Sequence, residues 1–387
     1  MSEPMIKGWC PGALRPMPSG DGLVVRVRPR GGRLTQVQTD GLGRLAAAHG
    51  NGIIDLTARA NVQLRGVTEQ TYGALVEGLA GLGLIDGSAE TEANRNIVVT
   101  PFWAAGDGVQ DIAAALAESL AAAIELRLPG KFGFAIDCGA VPVLGDVSAD
   151  IRLERCTDGG LICKADGAAF GMRVSEQTAA AEILSLAHWF AGSCDLSKGR
   201  GRMRQHLAQG ATLPDRHGEI AAVRPPQFSP RPGAVAAGLL VGFEFGQLRS
   251  ESLIALARHG ALRVTPWRLL LIEGVRRAPN IAGLLTRPDD PLLRVVACSG
   301  KPACSQALQP TRELARRLAP LLPNGATLHV SGCAKGCAKA GAADVTLTGQ
   351  AAGYDLVRGG RAGDQPQRRG LAAEAIVQRP EILSENS

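Results

Sequence analysis

The stretch Ile54-Asp55-Leu56-Thr57-Ala58-Arg59-Ala60-Asn61-Val62-Gln63-Leu64-Arg65-Gly66-Val67 can be laid without gaps on Leu262-Arg263-Val264-Thr265-Pro266-Trp267-Arg268-Leu269-Leu270-Leu271-Ile272-Glu273-Gly274-Val275. Thr57 falls on Thr265, and Gly66-Val67 on Gly274-Val275. Other segments repeat in the same order. Gly22-Leu23-Val24-Val25 returns as Gly238-Leu239-Leu240-Val241, and helical patterns close on His49-Gly50 and again on His259-Gly260. Arg95-Asn96-Ile97-Val98-Val99 is echoed by Leu293-Arg294-Val295-Val296, and Ala149-Asp150-Ile151-Arg152-Leu153 by Ala343-Asp344-Val345-Thr346-Leu347. Ordered self-similarity of this kind is the signature of a tandem duplication, each copy spanning roughly half the chain. Duplicated chains tend to fold about a pseudo-two-fold axis, with a shared ligand in the cleft between copies.

Within the first copy, β-branched Leu23 to Arg28 predicts a strand, and Gly52 to Thr57 another that runs on through Arg65. Apolar residues at helical spacing predict helices over Gln36 to Ala48, Glu69 to Leu82, Val109 to Ala123 and Ser175 to Phe190. Residues 151–153 and 160–163 are expected to form a hairpin. Residues 195–232, rich in Arg, Gly and Pro without a period, read as a linker or long surface excursion.

At 387 residues the chain is long enough for two or three domains with cores of their own. No apolar run can span a bilayer and no charged-then-apolar leader opens the chain, so a soluble, cytoplasmic protein with no membrane partner is expected. Nine cysteines, an odd number, favour reduced thiols and metal ligation over disulfides. The net charge of +6 rests on arginine, because only seven of the 42 basic residues are lysine. With aromatics at 4% and the arginines dispersed, nucleic acid is not an expected partner. Planar guanidinium forks match a polycarboxylate ligand better.

Two glycine-rich loops carry the metal-binding signal: Cys298-Ser299-Gly300-Lys301-Pro302-Ala303-Cys304 and Cys333-Ala334-Lys335-Gly336-Cys337. Four thiolates spaced C-x5-C and C-x3-C can close round one centre. An iron-sulfur cluster fits best, since such clusters are held by four Cys. Zinc competes, although its knuckles favour C-x2-4-C, and plain burial of small thiols is the bland alternative. The corresponding loops of the first copy are expected to lack these cysteines, which leaves that copy to contribute basic groups. There, alternation puts Arg59, Asn61 and Gln63 on one face of an extended segment, while Arg95 precedes a strand and Lys131 lies at a strand mouth. The remaining Cys138, Cys156, Cys163 and Cys194 read as buried thiols, with Cys10 a weak site candidate in a Gly-Pro turn.

Taken together, the cysteine spacing, Thr-x-Arg-x-Asn-x-Gln at 57–63, Arg-Asn-Ile-Val at 95–98 and Leu-Pro-x-Lys-Phe at 128–132 resemble the sulfite and nitrite reductase superfamily over nearly the whole chain. The resemblance implies an α+β, tandem-duplicated fold with pseudo-two-fold symmetry, ferredoxin-like halves at 1–90 and 233–288, and mixed α/β domains at 91–194 and 289–387. It implies that Cys298, Cys304, Cys333 and Cys337 hold a 4Fe-4S cluster, in relatives bridged to sirohaem, and that Arg59, Asn61, Gln63, Arg95 and Lys131 bind the tetrapyrrole, Arg95 and Lys131 with catalytic roles.

One departure redirects the expected chemistry. Sulfite reductases carry a second lysine after the Phe, where this chain has Gly133; multi-electron reduction of sulfite or nitrite consumes protons that such a cation would deliver. Cys10-Pro11-Gly12, Pro16-Met17, Gly20-Asp21-Gly22 and Thr265-Pro266-Trp267-Arg268 look instead like the precorrin-3B synthase branch. That likeness implies a monooxygenase of cobalamin biosynthesis acting on precorrin-3A and dioxygen, with a 4Fe-4S cluster, a mononuclear non-haem iron and an electron donor (an NAD(P)H-linked reductase or a ferredoxin). No motif among His49, His188, His206, His217, His259 and His329 marks the second iron's ligands. A sirohaem-dependent reductase is the same-fold alternative, and a cluster-bearing electron carrier the alternative of another class.

Overall fold

The computed structural model describes residues 11–139, 141–197, 201–217, 220–221, 228 and 230–384. The first copy begins with β1 (Met17–Ser19), β2 (Gly22–Val27), β3 (Arg33–Leu34), α1 (Gln36–His49), β4 (Ile53–Leu56), β5 (Val62–Val67) and α2 (Glu69–Gly81). Its mixed region follows as α3 (Ala89–Asn94), β6 (Ile97–Val99), α4 (Val109–Ala122), β7 (Phe134–Asp137), β8 (Ile151–Arg155), β9 (Leu161–Ala165), β10 (Phe170–Val174) and α5 (Glu176–Ser193). The segment expected as a linker has structure of its own: α6 (Met203–Ala208), and β11 (Ile220–Ala221), which pairs with β10 as an edge strand.

The second copy repeats this order except at one place. It contains β12 (Gly233–Val235), β13 (Gly238–Phe243), β14 (Gln247–Arg249), α7 (Ser250–Ala257), β15 (Leu262–Val264), β16 (Leu269–Glu273) and β17 (Leu284–Leu285), the last standing where the first copy has α2 and α3. After these come β18 (Val295–Ala297), α8 (Arg312–Leu318), β19 (Leu328–Ser331), β20 (Ala343–Gln350), β21 (Gly353–Gly360), β22 (Arg368–Leu371) and α9 (Ala373–Gln378).

Sheet topology confirms the duplication strand by strand. The mixed sheets run β10-β9-β8-β7-β6 and β22-β21-β20-β19-β18 in reverse sense, each with three parallel strands and then antiparallel ones. The ferredoxin-like sheets run β1-β2-β5-β4 and β12-β13-β16-β15, and each is completed by a strand from the other copy: β14 pairs with β4, and β3 with β15. Even rare backbone states recur, since Ala60 (φ 54°) and Arg268 (φ 59°) occupy equivalent positions, as do Gly31 and Phe245 (both φ 57°). Helices α1 and α7 cross where Gly43 sits; a Cβ there would lie 2.6 Å from Ile254 Cγ1.

The exchanged strands are locked by ion pairs whose signs swap between copies. Asp55 on β4 pairs with Arg65 on β5 at 3.3 Å, and at the equivalent positions Arg263 on β15 pairs with Glu273 on β16 at 2.8 Å. Each carboxylate also takes a donor from the exchanged strand: Gln247 Nε2 donates to Asp55 at 2.8 Å, and Arg33 Nη2 to Glu273 at 2.8 Å. Position 55 and its counterpart 263 reach further, each into the opposite copy's mixed region. Arg312 of α8 donates to Asp55 at 3.1 Å, while Arg263 donates to the carbonyls of Pro101 and Trp103 and stacks 3.5 Å over the Trp103 ring.

One expectation is corrected. Residues 52–65 are not a single extended segment but the hairpin β4–β5, closed by Ala60 N donating to Thr57 O and Thr57 N to Asn61 O. The Thr57 hydroxyl accepts the amides of Arg59 (3.2 Å) and Asn61 (3.1 Å), a local bond that competes with strand pairing and turns the chain. Among the described residues, no helix is long and apolar enough to cross a membrane.

Asp55→Ala would remove the acceptor that Arg65, Gln247 and Arg312 share, although Arg65 keeps its bidentate pair with Asp21 at 2.8 and 2.6 Å. Loss of hydrogen bonds to a charged group costs about 1.5–3 kcal/mol, so chemical denaturation should show a loss of that order, with Asp55→Asn milder.

Candidate active site

On the first-copy side the hairpin turn brings two expected residues together. Arg59 Nη2 donates to the Lys131 carbonyl at 3.0 Å, and the Lys131 side chain is exposed. Asn61 is buried, and its amide Nδ2 has no hydrogen-bond partner among the described residues, so a donor stands ready for an acceptor. Gln63 lies beyond the turn on β5, its Oε1 taken by Arg26 at 2.6 Å. The alternation argument therefore fails for these three: Arg59 is at a tip, Asn61 inside, and Gln63 engaged.

Arg95 is also corrected, from a group facing ligand to one that holds the frame. It is buried and bidentate to Asp86 (2.8 and 2.7 Å), and donates to the Arg28 carbonyl. Its neighbour Asn96 braces the lysine loop by donating to Phe132 O at 2.8 Å. Position 133 is closed to any side chain, because a Cβ there would stand 2.7 Å from Asn96 Nδ2 and 3.2 Å from Arg59 Nη1. Glycine is thus built into the packing rather than left as a vacancy for a second lysine.

On the second-copy side, β18 and β19 are parallel neighbours, so the loops leaving their C-terminal ends emerge together, as ligand loops do in α/β sheets. Cys298 and Cys304 lie on the first loop, Cys333 and Cys337 on the second; the first three are half-buried and Cys337 is exposed. The Thr311 hydroxyl donates to Cys298 O at 2.6 Å, the Ser331 hydroxyl to Cys333 O at 2.7 Å, and Gly332 N donates to Cys298 Sγ at 3.2 Å. Although Cys337 keeps surface open to solvent, desolvation by the protein packed round it pushes its thiol up first, Lys335 pulls it down, and Cys333, Cys298 and Cys304 push it up again. Cys333 is likewise raised, first by burial, while the Lys335 amide lowers it and Cys298 and Cys304 raise it.

Thiols that repel one another when ionised, fed by backbone N–H donors, suit a cationic centre. Among the described residues no three His, Cys, Asp or Glu converge on a site for a single ion.

Each ferredoxin-like sheet clamps one cysteine loop with an arginine, the buried Arg65 in the first copy and the half-buried Arg268 in the second. Arg65 Nη2 donates to Ala303 O at 3.2 Å, beside Cys304, joined there by Ser19 Oγ and Gly20 N. Arg268 Nη2 donates to Ala338 O at 2.6 Å, beside Cys337. These arginines lay hidden in sequence as ordinary strand and turn charges; only Arg268's place in a quoted motif hinted at it. His329 is fully buried on β19, and burial, then Lys339 and Arg268, lower its pKa to about 4, so it is neutral.

The first copy's matching loops differ. Sheet register places Thr100 opposite Cys298 and Gly139 opposite Cys333. Cys138 adjoins that position, which qualifies the expected absence of cysteine, yet its thiol is buried and pushed up to about 12 by desolvation. Cys156 and Cys163 are buried, Cys194 is half-buried, and Cys10 lies outside the described residues. The histidines are scattered, with His217 buried against Glu182 and His206 bonded to Ser193.

Comparison with known proteins agrees with this geometry. Residues 15–82 match the model of the nitrite/sulfite reductase ferredoxin-like half domain. The Mycobacterium tuberculosis NirA structure superposes with a TM-score of 0.66 over 94% of this chain and 81% of its own, at 18% identity, which defines the fold. A sulfite reductase [NADPH] hemoprotein beta-component of Nitrosomonas europaea is 24% identical over 93% of this chain and 78% of its length. The class is therefore the sulfite and nitrite reductase fold. A precorrin-3B synthase from Sinorhizobium sp. is 31% identical over 94% of this chain and 85% of its own. The chain belongs to the precorrin-3B synthase family.

Two outcomes check the site. Cys333→Ser should abolish cluster absorbance and the reduced-state EPR signal, and a variant keeping both would remove this thiol from the ligand set. Gly133→Lys should destabilise the protein by roughly 1–3 kcal/mol, as overpacking does, and should confer no sulfite reduction.

Proposed function

We infer that this chain carries out the reaction of its family: oxygen-dependent hydroxylation of precorrin-3A at a meso carbon, with γ-lactone closure by the ring-A acetate. The observation that carries the reading is the closed position 133. The site presents Arg59 and Lys131 without room for a second lysine, which suits binding a carboxylate-bearing substrate better than delivering protons to a bound anion. The sirohaem-dependent alternative, which the haemoprotein relative represents, lacks such an observation in its favour.

In this reading Cys298, Cys304, Cys333 and Cys337 hold a 4Fe-4S cluster. When bound, the cluster supplies single electrons for oxygen activation. Arg65 and Arg268 fix the loops that carry the thiolates, and Lys335 offsets their charge. Arg59 and Lys131 bind acetate or propionate arms, the Asn61 amide donates to a substrate acceptor, and Arg95 with Asn96 keeps the Arg59–Lys131 wall in place. Orienting the arms fixes which meso carbon meets the oxidant and brings the ring-A acetate within reach of lactone closure. No step is assigned to a mononuclear iron, because no set of described side chains fits one. A cytoplasmic location and supply of electrons by an NAD(P)H-linked reductase or ferredoxin complete the proposal.

Incubation with precorrin-3A, reductant and ¹⁸O₂ should add one labelled oxygen atom to the tetrapyrrole by mass spectrometry, the other leaving as water. A hydroxylated product without label would overturn the assignment. Arg59→Ala should weaken substrate binding by about 1.5–3 kcal/mol, the worth of a charged hydrogen bond, measurable by fluorescence titration.

A further inference from the structure

One arginine is built into a place where no carboxylate is bonded to it. Arg268 stands at the turn between β15 and β16 with a left-handed backbone (φ 59°), and its stem lies so close over Gly246 that a Cβ there would be 2.6 Å from Arg268 Cβ and 2.9 Å from Cδ. The far end is held too, because Nη2 donates to Ala338 O at 2.6 Å, one residue past Cys337. Among the described residues that carbonyl is its hydrogen-bond acceptor, and it makes no ion pair.

A guanidinium taken partly out of water is costly unless an anion answers it. Burial disfavours the Arg268 charge first; Asp55 supports it, Arg312 opposes it, and the Cys298 thiolate supports it. Asp55 is already shared, since it accepts from Arg65 at 3.3 Å, Arg312 at 3.1 Å and Gln247 at 2.8 Å. Arg65 has a second carboxylate in Asp21, so Arg312 is the cation that draws most on Asp55. Neither cysteine loop brings an acid of its own, because 298–309 and 331–342 contain no Asp or Glu. The Arg268 charge is therefore left to act on the thiolates.

We propose that Arg268, opposed by Asp55 of the other copy, sets the reduction potential of the cluster held by Cys298, Cys304, Cys333 and Cys337. The inference rests on the cluster reading above and goes beyond it by giving both residues a role apart from fixing loops. Net charge round an iron-sulfur centre is one of the terms that set its potential. Taking up one electron adds one negative charge to a centre already ringed by thiolates. A fixed guanidinium beside it stabilises the reduced form and raises the potential, whereas a fixed carboxylate does the reverse. The first copy thus takes part in the chemistry of the second through a single side chain on β4.

The test is a redox titration of the full-length, cluster-loaded protein with dithionite as the one-electron reductant, followed by the EPR signal of the reduced state. Arg268→Gln should lower the midpoint potential, so that at a fixed potential the ratio of reduced to oxidised cluster falls about tenfold, which is about 59 mV for a one-electron couple. Arg268→Lys keeps the charge and should stay close to wild type. Asp55→Asn should raise the potential, and Arg44→Ala, on exposed α1, should leave it unchanged. Loosened loops alone give no reason for the sign to reverse between Arg268→Gln and Asp55→Asn. Shifts of these two in the same direction, a value for either that matches Arg44→Ala, or an Arg268→Lys shift as large as that of Arg268→Gln would overturn the proposal. If Arg268→Gln retains no cluster, Arg312→Gln decides: a lowered potential supports the tuning and an unchanged one overturns it. Wild-type protein without bound iron and sulfide and without a reduced-state signal would overturn the cluster reading itself.

Discussion

The structure depends on a reciprocal exchange of edge strands. Each ferredoxin-like sheet is finished by a strand of the other copy, β14 on β4 and β3 on β15, so neither sheet is complete alone. Exposed strand edges are unpaired and costly, and the exchange satisfies both edges while fixing the pseudo-two-fold axis. Asp55 and Glu273 hold the joint, each accepting from its own hairpin and from the incoming strand. The swapped signs give each hairpin one opposite-charge pair while letting position 55 bond the cluster-side helix and position 263 the opposite loop.

Symmetry then makes divergence possible at low structural cost. The same strand ends carry Thr100 and Gly139 in one copy and Cys298 and Cys333 in the other. The hairpin turn likewise presents Arg59 in the first copy and, one residue further along, Arg268 in the second, the former bonding the lysine loop and the latter a cysteine loop. One copy became a wall of cations and the other a nest of thiols, both on the same sheet order.

Much of this was legible in sequence because the duplication repeats short apolar patterns whose register survives mutation. Helix limits came within a few residues, as at Glu69–Gly81 against an expected end at Leu82, because capping residues such as Thr68 mark the starts. The cysteine loops were legible from spacing alone. What failed was local: the Thr57 hydroxyl breaks a strand that alternation would continue, moving Asn61 inside and engaging Gln63 elsewhere. Arg95 looked like a free cation at a strand mouth, yet its partner Asp86 lies nine positions back in a stretch without a readable period.

The central claim is that a fold able to hold a tetrapyrrole as resident cofactor here holds one as substrate, beside an iron-sulfur cluster. The most direct test is the visible absorption spectrum of the protein as purified, before any substrate is added. The account predicts a broad thiolate-to-iron absorbance that bleaches on reduction, with no porphyrinoid bands. A stoichiometric Soret band with the accompanying red bands of sirohaem would contradict it.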